Sequence, residues 1–453
     1  MSKITTINPY TQEKLETYTT DTDEDIVAKI AYANQYFKSW RRLPISERCK
    51  KFKKLAEVLD QRKEQLALKM VEEMGKPITQ AKAEIEKCIW LIEFYITNAE
   101  DFLADRLIET DAQESFISYD PLGVILGVMP WNYPFWQAFR FVVPTLLVGN
   151  TVILKHASNV TGCALEIEAV FKEAGFSEKT FQTLIVSHDQ IEKIVGHSDV
   201  RAVSLTGSEP AGRAVAAAAG KHLKKSVLEL GGNNACIVLK DANLDKYLKT
   251  MVWARMQNTG QSCIAAKRFI VEERIYDEFL LRFKSEVEQL QIGDPKQQET
   301  DISVLARVDL AEGVEKQVDA SVDLGAEIVY GKKREEALYH PTIITNVTSI
   351  MPVFKEEVFG PVAAIIKVKN AEEAFDLANK SSFGLGTMVF SEAIEQAKKQ
   401  ASFVDDGAYF INEMVKSDPR LPFGGTKASG YGRELSREGI LEFTNAKTVY
   451  IKT

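Results

Sequence analysis

Between residues 24 and 40 the apolar side chains Ile26, Ile30, Ala33, Phe37 and Trp40 recur three or four positions apart. That spacing lines one face of a helix. Residues 45–75 repeat the pattern, and Gly75 offers a natural stop. A third helical pattern runs over 79–102, so the first hundred residues read as mostly helical.

The period changes near residue 115. "SFISY" and "GVILGVM" flank the turn signal "DPLG" and read as a hairpin. Short apolar runs then alternate with helical stretches: "TVILK" (151–155), helix 161–174, "FQTLIV" (181–186), helix 189–195, "RAVSL" (201–205), helix 210–219 and "SVLEL" (226–230). Such alternation predicts a parallel, doubly wound sheet. After "LGG" (230–232) it restarts with "ACIVL", helix 245–256, "RFIVEE" and helix 274–290. "AEIVYG", "PVAAIIKV", helix 370–380, "TMVF", helix 392–402 and "AYFIN" follow. The tail "KTVYIKT" alternates like an exposed strand. The expected fold class is therefore α/β. Residues 1–114 with 130–229 form one doubly wound domain, 230–430 a second, and 115–129 with 431–453 a projecting β arm.

Composition narrows the function. The 453 residues carry a net charge of -8, and the longest basic run is 332–334, which argues against a nucleic-acid surface. The N-terminus has no apolar core of signal-peptide length and no apolar stretch reaches the length of a membrane span, so a cytoplasmic protein without membrane contact is expected. Five cysteines without a C-x-x-C pair argue against a disulfide framework. Five scattered histidines, with no H-E-x-x-H, give no metal site.

Four stretches carry candidate chemistry. Cys263 lies in "NTGQSCIAAK", where Gly260 lets the backbone turn sharply. Taken alone, a single cysteine is more often packing filler. Glu229 ends an apolar run in "LELGG", where burial would raise its pKa and suit it to general-base work. Asn132 in "PWNYP" has an amide that can donate to a developing oxyanion, together with the Cys263 backbone N–H. "SLTGSEPAG" places Gly207 and Ser208 between a strand and a helix, an arrangement whose free N–H groups suit an anion.

"PWNYP", "LELGG", "GQSC", "EEVFGPV" and "LPFGGTKASGYGRE", in this order and spacing, resemble the aldehyde dehydrogenase superfamily across nearly the whole chain. The resemblance implies a Rossmann-like cofactor domain, a catalytic domain and an arm that joins subunits into a homodimer or homotetramer. It implies Cys263 as nucleophile, Asn132 as oxyanion donor and Glu229 as the base that hydrolyses a thioester. It further places Lys155 and Glu357 at the cofactor riboses, Phe359 near the nicotinamide, Gly207 and Ser208 under the pyrophosphate, and Trp131 among the cofactor-binding residues. NAD-preferring relatives often have glutamate three positions after the lysine, where this chain has Ser158. A carboxylate there repels a 2′-phosphate and a serine does not, so NADP is the expected cofactor, with NAD accepted as well. Within the superfamily the pattern resembles the short bacterial succinate-semialdehyde dehydrogenases. That implies succinic semialdehyde as substrate, with Trp136, Arg140 and Ser417 in its pocket and Arg140 pairing the distal carboxylate. Another aliphatic or aromatic aldehyde is the alternative. Release of the thioester to coenzyme A is disfavoured by the presence of Glu229.

Overall fold

A computed structural model describes residues 2–452. Two sheets organise the chain. In the first, Lys225–Glu229, Val200–Thr206, Val124–Met129, Thr151–His156 and Phe181–Leu184 lie parallel in that order, and the short Gly430–Tyr431 strand closes one edge antiparallel. The order reverses at Val124–Met129: the next two strands in sequence lie on one side, the later two on the other. In open α/β sheets such a reversal leaves a crevice at the carboxyl ends of the strands. The second sheet runs Glu327–Tyr330, Thr342–Thr345, Val362–Val368, Ala266–Glu272, Asn234–Val238, Thr387–Phe390 and Tyr409–Ile411, parallel except at the Glu327–Tyr330 edge. The inner strands of both sheets are buried along nearly their whole length, as continuous apolar runs require when helices cover both faces.

The long helices Ile45–Met74 and Ile78–Leu103 pack with Pro134–Val148 and Thr161–Glu173 beside the first sheet, around Phe52, Phe139, Phe171 and Phe176. Pro134–Val148 is buried on every side, so it is apolar all round apart from Gln137, Arg140 and Thr145.

Three expectations are corrected. Residues 115–129 do not form a hairpin. Glu114–Pro121 pairs along its length with Thr444–Ile451, while Val124–Met129 lies at the centre of the first sheet. Their burial explains the split: the first strand is half exposed and the second almost wholly buried. Of residues 431–453, only Thr444–Ile451 belongs to the arm sheet. Ser436–Leu441 packs back onto Ile78–Leu103, where Tyr95 Oη donates to the Ser436 carbonyl at 3.1 Å. Finally, the reading of the first hundred residues as mostly helical omitted the hairpin Lys3–Ile7/Lys14–Thr19, and the second domain gains an unforeseen helix, Val308–Asp323. That helix buries only Ala311, Val314, Val318 and Ser321.

Candidate active site

Chain direction fixes where the site lies. Lys225–Glu229 leaves the first sheet at its carboxyl edge and, through Leu230–Gly231–Gly232–Asn233, enters the second sheet at the amino end of Asn234–Val238. The carboxyl edge of one sheet therefore faces the amino edge of the other. Loops 130–133, 157–158 and 207–208 come from the first edge; loops 257–265 and 356–361 come from the second.

Loop 257–265 answers the question posed by its lone cysteine. Asn258, Thr259 and Gly260 all take left-handed backbone, with φ of 53°, 54° and 73°. A β-branched residue there is strained, and such strain gathers at functional sites. The strain is held by contacts: Asn258 N donates to Gln80 Oε1 at 2.6 Å, and Thr259 Oγ1 accepts from Ser303 N at 3.1 Å. A Cβ at Gly260 would stand 2.5 Å from the Gly360 backbone, so no other residue fits without moving the chain. The turn leaves Cys263 half-buried and facing a cavity of about 240 Å³. Cys88, Cys163 and Cys236 are sealed in the core, as filler thiols are. Burial raises the Cys263 thiol to about 11, while Arg140 and Lys267 pull it down. Lys267 Nζ donates to the Cys263 carbonyl at 2.9 Å and to Glu357 Oε1 at 2.8 Å, tying the thiol loop to loop 356–361.

Glu229 is 2% exposed and both its oxygens lack a hydrogen-bond partner. Burial, then the nearby Glu434 carboxylate, holds its pKa well above the carboxylate range; Arg140 and Arg433 oppose this. Its charge also acts on the Cys263 thiol. Asn132 is buried at the turn before Pro134–Val148, and its Nδ2 donates to the Gln261 carbonyl at 3.1 Å. Asn258 Nδ2 in turn donates to the Asn132 carbonyl at 2.8 Å, so the two loops grip each other.

The Asn132 turn is held from another helix. Tyr133, at the N-cap of Pro134–Val148, gives no side-chain cap. Glu84 Oε1 supplies one, accepting from Phe135 N at 2.8 Å and Trp136 N at 2.9 Å, while Oε2 pairs with the fully buried Lys76. Glu84→Ala would strand the Lys76 charge in the core. It is expected to cost about 3–5 kcal/mol, read as a lower urea midpoint at unchanged slope.

The remaining residues expected in the site divide between seat and cavity. Lys155 lies buried near the end of its strand, with no carboxylate paired to it among the described residues, and burial lowers it to about 8. Ser158 stands exposed just beyond. Gly207 N donates to the Glu229 carbonyl at 2.9 Å, and Ser208 caps Glu209–Lys221 without a side-chain bond. Phe359 meets Trp131 edge-on, centroids 5.7 Å apart, and Lys267 Nζ lies 5.7 Å from the Phe359 ring. On the other side, Trp136, Arg140 and Ser417 line the same cavity as Cys263.

Arg140 lines that cavity and is also held from within the protein. Its Nε pairs with the buried Glu434, and Nη2 donates to Thr206 Oγ1 at 3.4 Å. An arginine this deeply buried needs an internal counter-charge, and Glu434 provides it. Glu434 and the cavity-lining Lys87 escaped the sequence reading. Lys87 falls in a helical pattern where a lysine reads as solvated, and Glu434 lies far along the chain from Arg140. Among the described residues no three of His, Cys, Asp and Glu gather as a metal site would need.

The whole of residues 1–449 matches the model of the aldehyde dehydrogenase family. The chain is 48% identical to a probable NADP-dependent succinate-semialdehyde dehydrogenase of Synechocystis, covering 99% of both chains. It is 45% identical to succinate-semialdehyde dehydrogenase [NADP(+)] 1 of Mycobacterium tuberculosis, again over 99% of both. The crystal structure of a Streptococcus pyogenes succinic semialdehyde dehydrogenase with NADP+ superposes with TM-score 0.97 at 38% identity, covering 99% of this chain and 100% of that one. The chain belongs to the aldehyde dehydrogenase family, and its fold is that family's α/β fold. Its reaction class is oxidation of aldehydes. Among the described residues no helix is long and apolar enough to cross a membrane.

Proposed function

We propose that this enzyme oxidises succinic semialdehyde to succinate with NADP, through a thiohemiacetal and a thioester on Cys263. The observation that carries the substrate is the cavity: Cys263 opens onto a space also lined by the cations Lys87 and Arg140 and by Trp136 and Ser417. A short aldehyde with a distal carboxylate fits that charge. The named relatives agree with it.

Cys263 sulfur adds to the carbonyl carbon, forming a C–S bond and turning the carbonyl oxygen into an oxyanion. One N–H of the Asn132 amide is held by Gln261, which aims the second at that oxygen beside the Cys263 backbone N–H. When bound, the nicotinamide supplies the acceptor for the hydride that leaves the thiohemiacetal carbon. Glu229 then takes a proton from water, hydroxide adds to the thioester, the C–S bond breaks, and the thiol and acid are restored. Because Glu229 is present and unpaired, release by hydrolysis is favoured over transfer to coenzyme A.

The cofactor seat fits NADP. Lys155 is a cation without a carboxylate partner, Ser158 adds a neutral hydroxyl, and the first turn of Glu209–Lys221 is left open to a phosphate by Gly207 and Ser208. Glu357 spends Oε1 on Lys267 and Gly232 and keeps Oε2 for ribose hydroxyls; Trp131 and Phe359 flank the nicotinamide end. Ser158→Glu is expected to lower kcat/KM for NADP at least about 10-fold while sparing NAD, because like charges brought together cost several kcal/mol. Initial rates with both cofactors decide; an unchanged NADP/NAD ratio removes Ser158 from the seat.

The cofactor seat lies on the first sheet and the thiol on the second, so we assign cofactor binding and catalysis to those two units. The outer edge of Thr444–Ile451 exposes unpaired backbone with Tyr450 and Ile451, which suits pairing with a second copy of this chain in a homodimer or homotetramer. A panel of aldehydes assayed with NADP and NAD tests the whole reading; preference for an uncharged aliphatic or aromatic aldehyde over succinic semialdehyde would overturn the substrate.

A further inference from the structure

The amide that faces the oxyanion is itself held by a second asparagine. Asn258, in the thiol loop, is 1% exposed. Its Nδ2 carries two protons and spends both. One goes to the Asn132 carbonyl at 2.8 Å, the other to the Gln261 carbonyl at 3.1 Å. The Gln261 carbonyl is also the acceptor on which Asn132 Nδ2 rests, at 3.1 Å. Asn258 therefore fixes Asn132 at two points. It grips the backbone of that residue, and it seats the carbonyl that orients its side chain.

The surroundings keep Asn258 from turning away. Its backbone N–H donates to Gln80 Oε1 at 2.6 Å, and Gln80 Nε2 donates to the Asp301 carbonyl at 2.9 Å, so the brace is tied at both ends. The Asn258 carbonyl accepts from Gln261 N at 3.0 Å and from Gln261 Nε2 at 3.2 Å. This arrangement costs stability. Asn258 is left-handed, with φ of 53°, a conformation that glycine adopts more readily. Its Oδ1 is buried and finds no hydrogen-bond partner among the described residues. A strained backbone and an orphaned buried acceptor on one residue mark a position kept for geometry. Asn258 does not line the cavity onto which Cys263 opens, so the geometry it serves is that of Asn132.

We propose that Asn258, braced by Gln80, is a positioning residue that sets the Asn132 amide for the developing oxyanion. This rests on the reading of Cys263 as nucleophile and Asn132 as oxyanion donor. Asn258 acts through Asn132 and touches no reacting atom.

The experiment is a double-mutant cycle. It reads kcat/KM for the aldehyde that wild type turns over best, at saturating NADP, with intact sites counted by NADP binding. Wild type, Asn258→Gly, Asn132→Ala and the double variant are compared. Glycine keeps the left-handed turn and removes the amide. Asn132→Ala is expected to lower kcat/KM about 10²- to 10³-fold, the loss of one oxyanion donor. Asn258→Gly is expected to lower it about 10- to 100-fold, the scale on which a misplaced group costs rate, with NADP affinity unchanged. In the Asn132→Ala background the same change should cost less than about 3-fold, because the group it positions is gone. Asn258→Asp repeats the cycle without opening a cavity: it keeps the volume and tolerates the turn, but sets oxygen where both donors stood. A residue that merely held the loop together would cost as much with Asn132 absent as with it present. Equal losses in the two backgrounds, or no loss in either Asn258 variant, overturn the assignment and leave the oxyanion reading intact. An Asn132→Ala enzyme as active as wild type removes the oxyanion reading, and the proposal with it.

Discussion

Cys263→Ser is expected to lower aldehyde turnover by about four orders of magnitude or more, on the scale seen when a covalent nucleophile is removed. Burial holds the thiol above its ordinary value, so near neutral pH only a small fraction of molecules carries the thiolate. Even this small fraction is a strong nucleophile, and Glu229 is close enough to feel the charge that forms. A serine hydroxyl is a far weaker acid, and an ester at that position is a poorer acyl donor than a thioester. The loop should survive the change, because its left-handed turn is fixed by Asn258, Thr259, Gly260 and their partners and owes nothing to the sulfur. NADP binding, followed by protein fluorescence, should therefore persist in the variant. Alkylation by iodoacetamide gives an independent reading: in the wild type, labelling of Cys263 should accelerate with pH across the neutral range as thiolate accumulates. Undiminished turnover in the serine variant would end the covalent mechanism.

How far the sequence foretold this site follows from the range of the forces involved. Periodicity is local, so the alternation of apolar runs and helices was readable and so were both sheets. The position of Gly75 as a helix stop was readable for the same reason. The strand Val124–Met129 was misassigned because a turn signal looks alike whether it closes a hairpin or carries the chain from an arm into a sheet. Only its burial on both faces separates the two, and burial is a tertiary property. The surroundings of Arg140 and Lys87 were hidden more deeply. Each is a cation on a helix, and the charged groups that face them, Glu434 and Asp418, arrive from the far end of the chain. Cys263, Glu229 and Asn132 were visible as candidates from their neighbours. Their convergence depends on the carboxyl edge of one sheet meeting the amino edge of the next, which follows from the chain passing from Glu229 to Asn234 without a crossover helix.

Glu229→Gln should separate the two halves of the reaction. The amide has nearly the shape of the carboxylate but cannot accept a proton from water, so steady-state kcat is expected to fall by about 10²- to 10⁴-fold, the usual contribution of a positioned base. Thioester formation should be less affected, because the oxyanion donors and the thiol are untouched. On mixing with aldehyde and NADP, the variant should release about one equivalent of reduced cofactor per site in a burst and then nearly stop. Acid quench and mass spectrometry should find the acyl group on the peptide that carries Cys263. The pH dependence has a definite sign. Burial, and then Glu434, raise the Glu229 carboxyl, and the base works only when deprotonated. Deacylation in the wild type should therefore rise with pH from well above the ordinary carboxylate range, and that limb should vanish in the variant. Steady turnover with no acyl adduct would show that another group activates the water. A variant with neither burst nor adduct would place Glu229 at the thiol-addition step instead, where its charge already reaches the sulfur.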